Sequence, residues 1–114
     1  MVQKTRMVQK EWMAFVSVGA LKLLPPGSAT HLEMNDGGAI AVCNVAGVLH
    51  AMDGICPHSG GPLGHGALDG PILTCPFHGW EFDCTTGTMP GDDLKLLATY
   101  PVKVEDGEIF VELP

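Results

Sequence analysis

Two short stretches of the sequence each present one cysteine and one histidine at close spacing. The first, CPHSGG, carries Cys56 and His58, and the second, CPFHGW, carries Cys75 and His78. Thiolate and imidazole groups are both metal ligands, and the proline after each cysteine stiffens the chain beside it. Glycine follows soon after each histidine, where the backbone can pass close to a bulky group. The spacing therefore predicts two loops that converge on one inorganic centre.

The other two cysteines and three histidines lack this pairing, and we expect structural roles for them. Cys43 lies in an apolar stretch, which favours packing in the core, and Cys84 is expected to be a buried or partly buried thiol. His31 and His50 fall in predicted strands and are expected to be ordinary edge or core histidines. His65 lies between the two loops without a cysteine at the required spacing, so a surface position is predicted.

Length and composition indicate one small domain. A chain of 114 residues can form a single modest core but not a catalytic domain with an accessory one. Fifteen glycines and nine prolines favour turns and short strands over helices. Hydrophobic residues make up 46% of the sequence, which is enough for a core without disulfide staples. In a reducing compartment, the four cysteines therefore favour metal binding over two disulfides.

The charge is negative and unevenly placed. Lys4, Arg6 and Lys10 supply half of the six cations, so residues 11–114 carry three cations against thirteen acids, a net charge of −10. This excess of acids argues against nucleic-acid binding. An acidic body can be steered towards a basic protein face, but it can equally serve only to keep the protein in solution.

An apolar run at residues 12–21 could be taken for the core of a signal peptide. Because Glu11 precedes the run, Lys22 ends it and two prolines follow soon after, we interpret it as an amphipathic first strand. No segment approaches the about 20 apolar residues that a membrane-spanning helix needs. The expected compartment is the cytoplasm, with no membrane association.

Periodicity and turn residues predict short strands from residue 12 onward. The sequence MVQK occurs twice within the first ten residues, and residues 1–11 are expected to form a flexible tail. The ending YPVKVEDGEIFVEL alternates apolar and polar residues around Asp106 and Gly107, which is typical of a two-residue β-hairpin. A short helix-like piece is predicted at residues 20–24. Further strands are predicted at residues 13–18, 31–34, 39–45, 48–52, 72–74 and 80–83.

Together these features resemble the Rieske family, whose pattern is Cys-x-His, a spacer of this length and then Cys-x-x-His-Gly. The matching residues here are Cys56, His58, Cys75, His78 and Gly79. The flanking sequences GHGALDG and FDCTTG and the C-terminal hairpin are similar to those of small Rieske ferredoxins. The resemblance covers nearly the whole chain from about Val16 onward.

The resemblance implies an all-β Rieske fold of the iron–sulfur-protein type. We expect an antiparallel sandwich or barrel that forms one domain over residues 12–114, with a small cluster-binding subdomain at about residues 54–91. Pro90, in the sequence TMPGDD, could belong to the third loop that covers the cluster in this family, or it could be a plain turn proline.

The implied cofactor is a [2Fe-2S] cluster, with Cys56 and Cys75 on one iron and His58 and His78 on the other. Two ferric ions, two sulfides, two thiolates and two neutral imidazoles sum to zero formal charge, so an added electron makes the site only singly negative. Neutral ligands therefore favour reduction compared with four thiolates. The alternative is one structural zinc ion held by the same four residues.

The implied function is electron transfer rather than catalysis. The sequence has no other arrangement of acid, base or nucleophile and no room for the substrate domain of a ring-hydroxylating oxygenase. A small Rieske ferredoxin would take one electron from a flavin-dependent NAD(P)H reductase and pass it to a terminal oxygenase. The alternatives are a small Rieske subunit of a nitrite-reductase-like complex and, in a different class, a zinc-stabilised binding module.

A low reduction potential is expected from what the loops lack. High-potential Rieske proteins add a cysteine to each loop and place hydroxyl side chains after the second His-Gly. At the positions of the extra cysteines, this sequence has Gly61 or a neighbour in the first loop and Phe77 in the second. At the two hydroxyl positions it has Trp80 and Phe82. Because donors to sulfur stabilise the reduced cluster, their absence predicts a potential near about −150 mV.

Overall fold

The computed structural model describes residues 14–113, and within them the chain is almost entirely β-structure. The tail predicted at residues 1–11 and the first residue of the predicted strand 13–18 lie outside the described residues. Two short 3₁₀ turns occur at Leu21–Leu23 and Leu63–His65. The strands are β1 Ala14–Ala20, β2 Ala29–Glu33, β3 Ala39–Val45, β4 Val48–Asp53, β5 Ala67–Asp69, β6 Ile72–Thr74, β7 Glu81–Asp83, β8 Thr99–Tyr100, β9 Val102–Glu105 and β10 Glu108–Leu113.

The strands form three antiparallel sheets. A terminal sheet joins both ends of the described chain in the order β1-β10-β9, and a central sheet has the order β2-β3-β4-β8. A small sheet has the order β5-β6-β7. The second Cys-His loop, residues 75–80, connects β6 to β7. All strand pairings within these sheets are antiparallel, as predicted for the fold class.

Strand β3 is buried on both faces, which explains its continuous apolar sequence. Ile40 and Val42 pack with Ile109 and Val111 of the terminal sheet. Because side chains alternate along a strand, the intervening Ala41 and Cys43 point the other way, into a second core shared with the small sheet. The central sheet is therefore the middle layer, and the second core lies between it and the two cysteine-containing loops.

Two hairpins have the tight turns that the sequence predicts. Ala46 and Gly47 join β3 to β4 with φ angles of 51° and 95°. Asp106 and Gly107 join β9 to β10 with φ angles of 53° and 78°. Positive φ at both central residues is the geometry that matches the twist of the flanking strands.

Most predicted strands are present, with small differences at their ends. Strand β2 begins two residues before the predicted start at residue 31, and the predicted helix-like piece is the first 3₁₀ turn. The two short strands β5 and β8 were not predicted, because three or two residues carry no readable alternation. Within residues 14–113, no helix is long and apolar enough to cross a membrane.

Candidate functional site

Each of the two Cys-His loops is closed at its base by backbone hydrogen bonds. In the first loop, the amide of Cys56 donates to the carbonyl of Gly61 at 2.9 Å, and Ile55 and Pro62 form an isolated β-bridge. In the second loop, the amide of Cys75 donates to the carbonyl of Trp80 at 2.7 Å, directly beyond the last pair of the β6-β7 ladder. The second loop is thus the tip of a strand hairpin, and the first is closed by a single β-bridge.

The two cysteines of these loops lie at the inner end of the site. Each is only 1% exposed, and both belong to the core that includes Leu63, Leu73 and Phe82. Burial tends to raise the pKa of Cys56, but hydrogen bonds from Ser59, from the backbone of His58 and from Cys75 outweigh it, so the pKa is lower than usual. Cys56 is therefore placed to become a thiolate, the form of cysteine that binds metals.

The two loops pack closely against each other around the cysteine sulfur atoms. A Cβ atom on Gly61 would lie 2.8 Å from Sγ of Cys75 and 3.0 Å from Cγ of Phe77, so only glycine fits there. Ser59 Oγ lies 3.6 Å from Sγ of Cys75, and the amide of Phe77 donates to the same sulfur at 3.4 Å. A hydroxyl and an amide therefore approach Cys75.

The two histidines of the loops lie at the outer end and are exposed. Their ring centroids are 5.7 Å apart with an angle of 67° between the planes. The ring of His58 stacks on Trp80 at 4.0 Å with an angle of 8°. His78 has a φ angle of 68°, a region that non-glycine residues rarely occupy. Backbone strain of this kind is concentrated at functional sites.

Residues 11–101 match the family described as the Rieske [2Fe-2S] domain. This chain belongs to the Rieske family. The cofactor of the family is a [2Fe-2S] cluster, which confirms the cofactor expected from the sequence. The alternative prediction of a zinc-stabilised binding module is wrong. The chemistry of the donor set fits the cluster, because a Rieske centre takes two thiolates on one iron and two imidazoles on the other.

Known Rieske proteins are similar to this chain over most of its length. The 3-phenylpropionate/cinnamic acid dioxygenase ferredoxin subunit of Escherichia coli (strain K12) is 37% identical over 95 residues, covering 80% of this chain and 86% of that protein. Sphingomonas yanoikuyae B1 ferredoxin has a TM-score of 0.76 at 31% identity, covering 89% of this chain and 100% of that chain. The predicted Rieske fold is therefore confirmed.

A structure of a redox complex contains a similar chain. It is described as the complex of reduced oxygenase and oxidized ferredoxin in carbazole 1,9a-dioxygenase. The matching chain has a TM-score of 0.74 at 29% identity, covering 85% of this chain and 91% of that chain.

No three His, Cys, Asp or Glu side chains in the described part of the Rieske chain are grouped so as to hold a metal ion. A Rieske cluster requires no such group, since each iron takes two protein ligands and two sulfides. The two loops instead provide a pair of buried thiols and a pair of exposed imidazoles.

The other two cysteines of the chain lie outside the two loops. Cys43 and Cys84 are fully buried in the same core. The neighbouring Cys84 thiol and burial raise the pKa of Cys43, so its thiol stays protonated, whereas interaction with Cys43 lowers the pKa of Cys84. The predicted packing role for Cys43 and the predicted burial of Cys84 are both confirmed.

The 3₁₀ turn that follows the first loop is attached to strand β2 by a histidine. His31 Nδ1 accepts a hydrogen bond from the amide of Gly64 at 3.1 Å, and a Cβ on Gly64 would lie 2.4 Å from the His31 Cα. His65 is exposed, as predicted, and its ring lies 4.8 Å from that of His31. His31 is therefore more than an ordinary strand histidine, because it holds this turn against the central sheet.

Sequence reasoning missed two features of the site. The hydroxyl of Ser59 near Cys75 was not predicted, because hydroxyl donors were expected only at the positions after the second His-Gly. The stacking of Trp80 on His58 was also missed, although an aromatic residue directly after that His-Gly was a visible signal. In the third loop, Met89 packs against the core that holds both loop cysteines, whereas Pro90 is exposed.

Proposed function

We propose that this Rieske protein is a one-electron carrier whose cluster is held by Cys56 and Cys75 on one iron and by His58 and His78 on the other. The region at about residues 54–91, which includes both loops, would form the cluster-binding subdomain of one domain over residues 12–114. When bound, the cluster accepts and releases a single electron. The supporting observation is the arrangement of two buried thiols beneath two exposed imidazoles in one pair of loops.

The exposure of the histidines supports electron transfer between proteins. A partner protein can approach the His58 and His78 rings directly, while the cysteine side is enclosed by the core. The stack of Trp80 fixes the orientation of His58 and shields one face of its ring. The exposed imidazole edges therefore offer a direct route for electron exchange with a partner protein.

The proposed partners are a flavin-dependent NAD(P)H reductase as donor and a terminal oxygenase as acceptor. The support comes from the similar proteins, which include a dioxygenase ferredoxin subunit and a chain from a complex of oxygenase and ferredoxin. The proposed location is the cytoplasm, where a reducing environment would keep the four free cysteines available.

We also propose that the reduction potential lies in the lower part of the Rieske range, at about −150 mV. Trp80 and Phe82 provide no hydroxyl, and Phe82 is fully buried among apolar side chains. Gly61 and Phe77 stand at the positions of the extra cysteines, so no disulfide can form there. Ser59 and the Phe77 amide are donors that would raise the potential above that of a cluster without any donor to sulfur.

The test is to follow electrons through the protein with its own partners. We expect about two irons and two sulfides per chain and a reversible one-electron reduction. In stopped-flow experiments, NAD(P)H with a flavin-dependent reductase of a Rieske oxygenase system should reduce it, and the terminal oxygenase of such a system should reoxidise it. A colourless protein, or reoxidation only by the catalytic subunit of a nitrite reductase, would contradict the proposal.

A further inference from the structure

A cleft of about 460 Å³ lies beside the first cluster loop. Its walls include Ile55 and Pro57, which flank Cys56, and Leu96 from the segment before β8. All three side chains are exposed, and Ile55 and Leu96 are 40% and 37% exposed. An apolar surface that remains open beside a redox centre is a typical feature of a protein-binding site.

Two carboxylates also line this cleft. Asp53 is held rigidly, because its Oδ2 accepts the amide of Ala98 at 2.9 Å and its Oδ1 accepts the hydroxyl of Tyr100. Burial and the bond to Asp53 raise the pKa of Tyr100 to about 12, so this hydroxyl remains a donor at neutral pH. Asp36 is exposed and also lines the cleft, from the β2-β3 turn, where its Oδ1 accepts the amide of Gly38 at 2.9 Å.

The donors to both carboxylates are neutral, so the negative charge of the cleft is not compensated by them. In the part of the chain that the structure describes, the one ion pair joins Lys103 and Glu105. Lys95 is close in sequence to the cleft residue Leu96, but its Nζ lies 3.2 Å from Oγ1 of Thr99. Each carboxylate oxygen can accept more than one hydrogen bond, which leaves room for a charged donor.

We propose that this cleft receives an arginine or lysine side chain of the redox partner. Its aliphatic stem would pack on Ile55, Pro57 and Leu96, and its charged end would bind between Asp36 and Asp53. Long basic side chains have this combination of an apolar stem and a cationic head. The contact would position the partner next to His58, and this inference rests on the proposed electron-carrier function.

Occupancy of the cleft is tested first with small probes and the oxidised holoprotein. N-acetyl-arginine amide should produce saturable NMR shifts at Leu96 and Tyr100, whereas its neutral isostere, N-acetyl-citrulline amide, should not. Asp36→Asn retains the turn acceptor and should weaken binding about fivefold, the effect of a partly exposed charge pair. Equal shifts from both probes, or no shifts, would overturn the proposal.

The matched control is Asp106→Asn, which removes one charge from the β9-β10 turn. This turn lies at the other end of β10 from Leu113, a cleft residue, about 20 Å along the strand. The control should bind the arginine probe as the wild type does. If both variants weaken binding equally, the probe senses only net charge and the cleft is not its site.

Partner docking is tested with cytochrome c, whose haem edge is surrounded by lysines. At low ionic strength, Asp36→Asn should slow its reduction by the reduced protein about threefold, and Asp106→Asn should leave the rate unchanged. Equal rates for the two variants would overturn the docking role. Iron content and reduction potential are measured for every variant, so a failure of the electron-carrier function itself would be recognised separately.

The chain's own N-terminal cations are the competing occupant. A full-length variant with Lys4→Gln, Arg6→Gln and Lys10→Gln should bind the arginine probe with unchanged affinity if a partner normally fills the cleft. Tighter binding by this variant would instead assign the cleft to the N-terminal segment and would overturn the proposal.

Discussion

The cysteine side and the histidine side of the site have opposite environments although the same two loops supply both. Cys56 and Cys75 are each 1% exposed and are enclosed by core side chains. His58 and His78 are exposed, and only one face of His58 is covered, by Trp80. Under the proposed ligand assignment, the buried side would contribute to the stability of the fold and the exposed side to electron exchange.

The two loops also differ in how they reach this arrangement. The first loop has Cys-x-His spacing, and the second has one more residue, Phe77, between cysteine and histidine. In the second loop the histidine itself takes the left-handed conformation, with φ of 68° at His78, whereas the first loop uses Gly60 with φ of 75°. The longer loop therefore presents its imidazole at the cost of backbone strain.

The largest expected effect is loss of the cluster when a proposed ligand is removed from either side. Cys75→Ala and His78→Ala should each reduce the iron content from about two per chain to nearly zero. Cys75→Ala should also leave a cavity in the core and lower the midpoint of thermal unfolding further. Iron analysis, visible spectra and thermal unfolding measure both effects.

The control for these variants is His65→Ala, which changes an exposed histidine outside the loops. It should keep the full iron content and the visible spectrum. A coloured His78→Ala protein with two irons would show that the ligand assignment is wrong on the exposed side.

The two Cys-His loops and the central strand were readable from sequence because their signals are local. The Cys-Pro starts and the glycines identify both loops, and the apolar run of β3 together with Asp106-Gly107 identifies two elements of the sheets. Contacts between loops could not be read in this way. Ser59 and Cys75 are far apart in sequence, and their approach depends on how the two loops pack.

The second prediction concerns the stacking of Trp80 on the ring of the exposed His58. Trp80→Leu removes the stack on His58, and a contact of this kind contributes about 1 kcal/mol. We expect a chelator to bleach the variant about fivefold faster than the wild type. Phe77→Leu changes an exposed aromatic residue of the same loop and serves as the control. Equal bleaching rates for the two variants would mean that the stack does not protect the site.

The third prediction concerns the buried side. Ser59 Oγ lies 3.6 Å from Sγ of Cys75, and its hydroxyl can donate to a thiolate there. Ser59→Ala should lower the reduction potential by about 40 mV, which corresponds to about 1 kcal/mol for one electron. Ser59→Thr keeps the hydroxyl and should stay close to the wild type in protein-film voltammetry. An unchanged potential in Ser59→Ala would remove Ser59 from the tuning of the cluster.

The fourth prediction concerns the attachment of the first loop to the central sheet. Burial, with a smaller contribution from His65, lowers the pKa of His31, so the unfolded chain binds this proton more readily than the folded protein. Stability should therefore fall as the pH decreases from the unfolded value of about 6.5 towards the lower folded pKa. Protonation of Nδ1 also removes the acceptor for Gly64.

The matched variant is His31→Asn, whose side-chain oxygen can accept the same hydrogen bond but does not titrate. Urea unfolding at pH 7.5 and pH 5.5 should show a smaller loss of stability for this variant than for the wild type. The same loss in both proteins would assign the pH dependence to other groups.

The smallest expected effect on the cluster comes from the second thiol pair. Cys43 and Cys84 belong to the same core as the loop cysteines, and the neighbouring Cys84 thiol together with burial raises the pKa of Cys43. Since only a thiolate is a good metal ligand, the protonated thiol of Cys43 serves packing, and Cys84 is fully buried in the same core. Cys43→Ser and Cys84→Ser should keep the visible spectrum and iron content and lose about 1 kcal/mol of stability, whereas Cys56→Ser should bleach. Bleaching of either of the first two variants would show that burial alone does not distinguish structural thiols from ligands here.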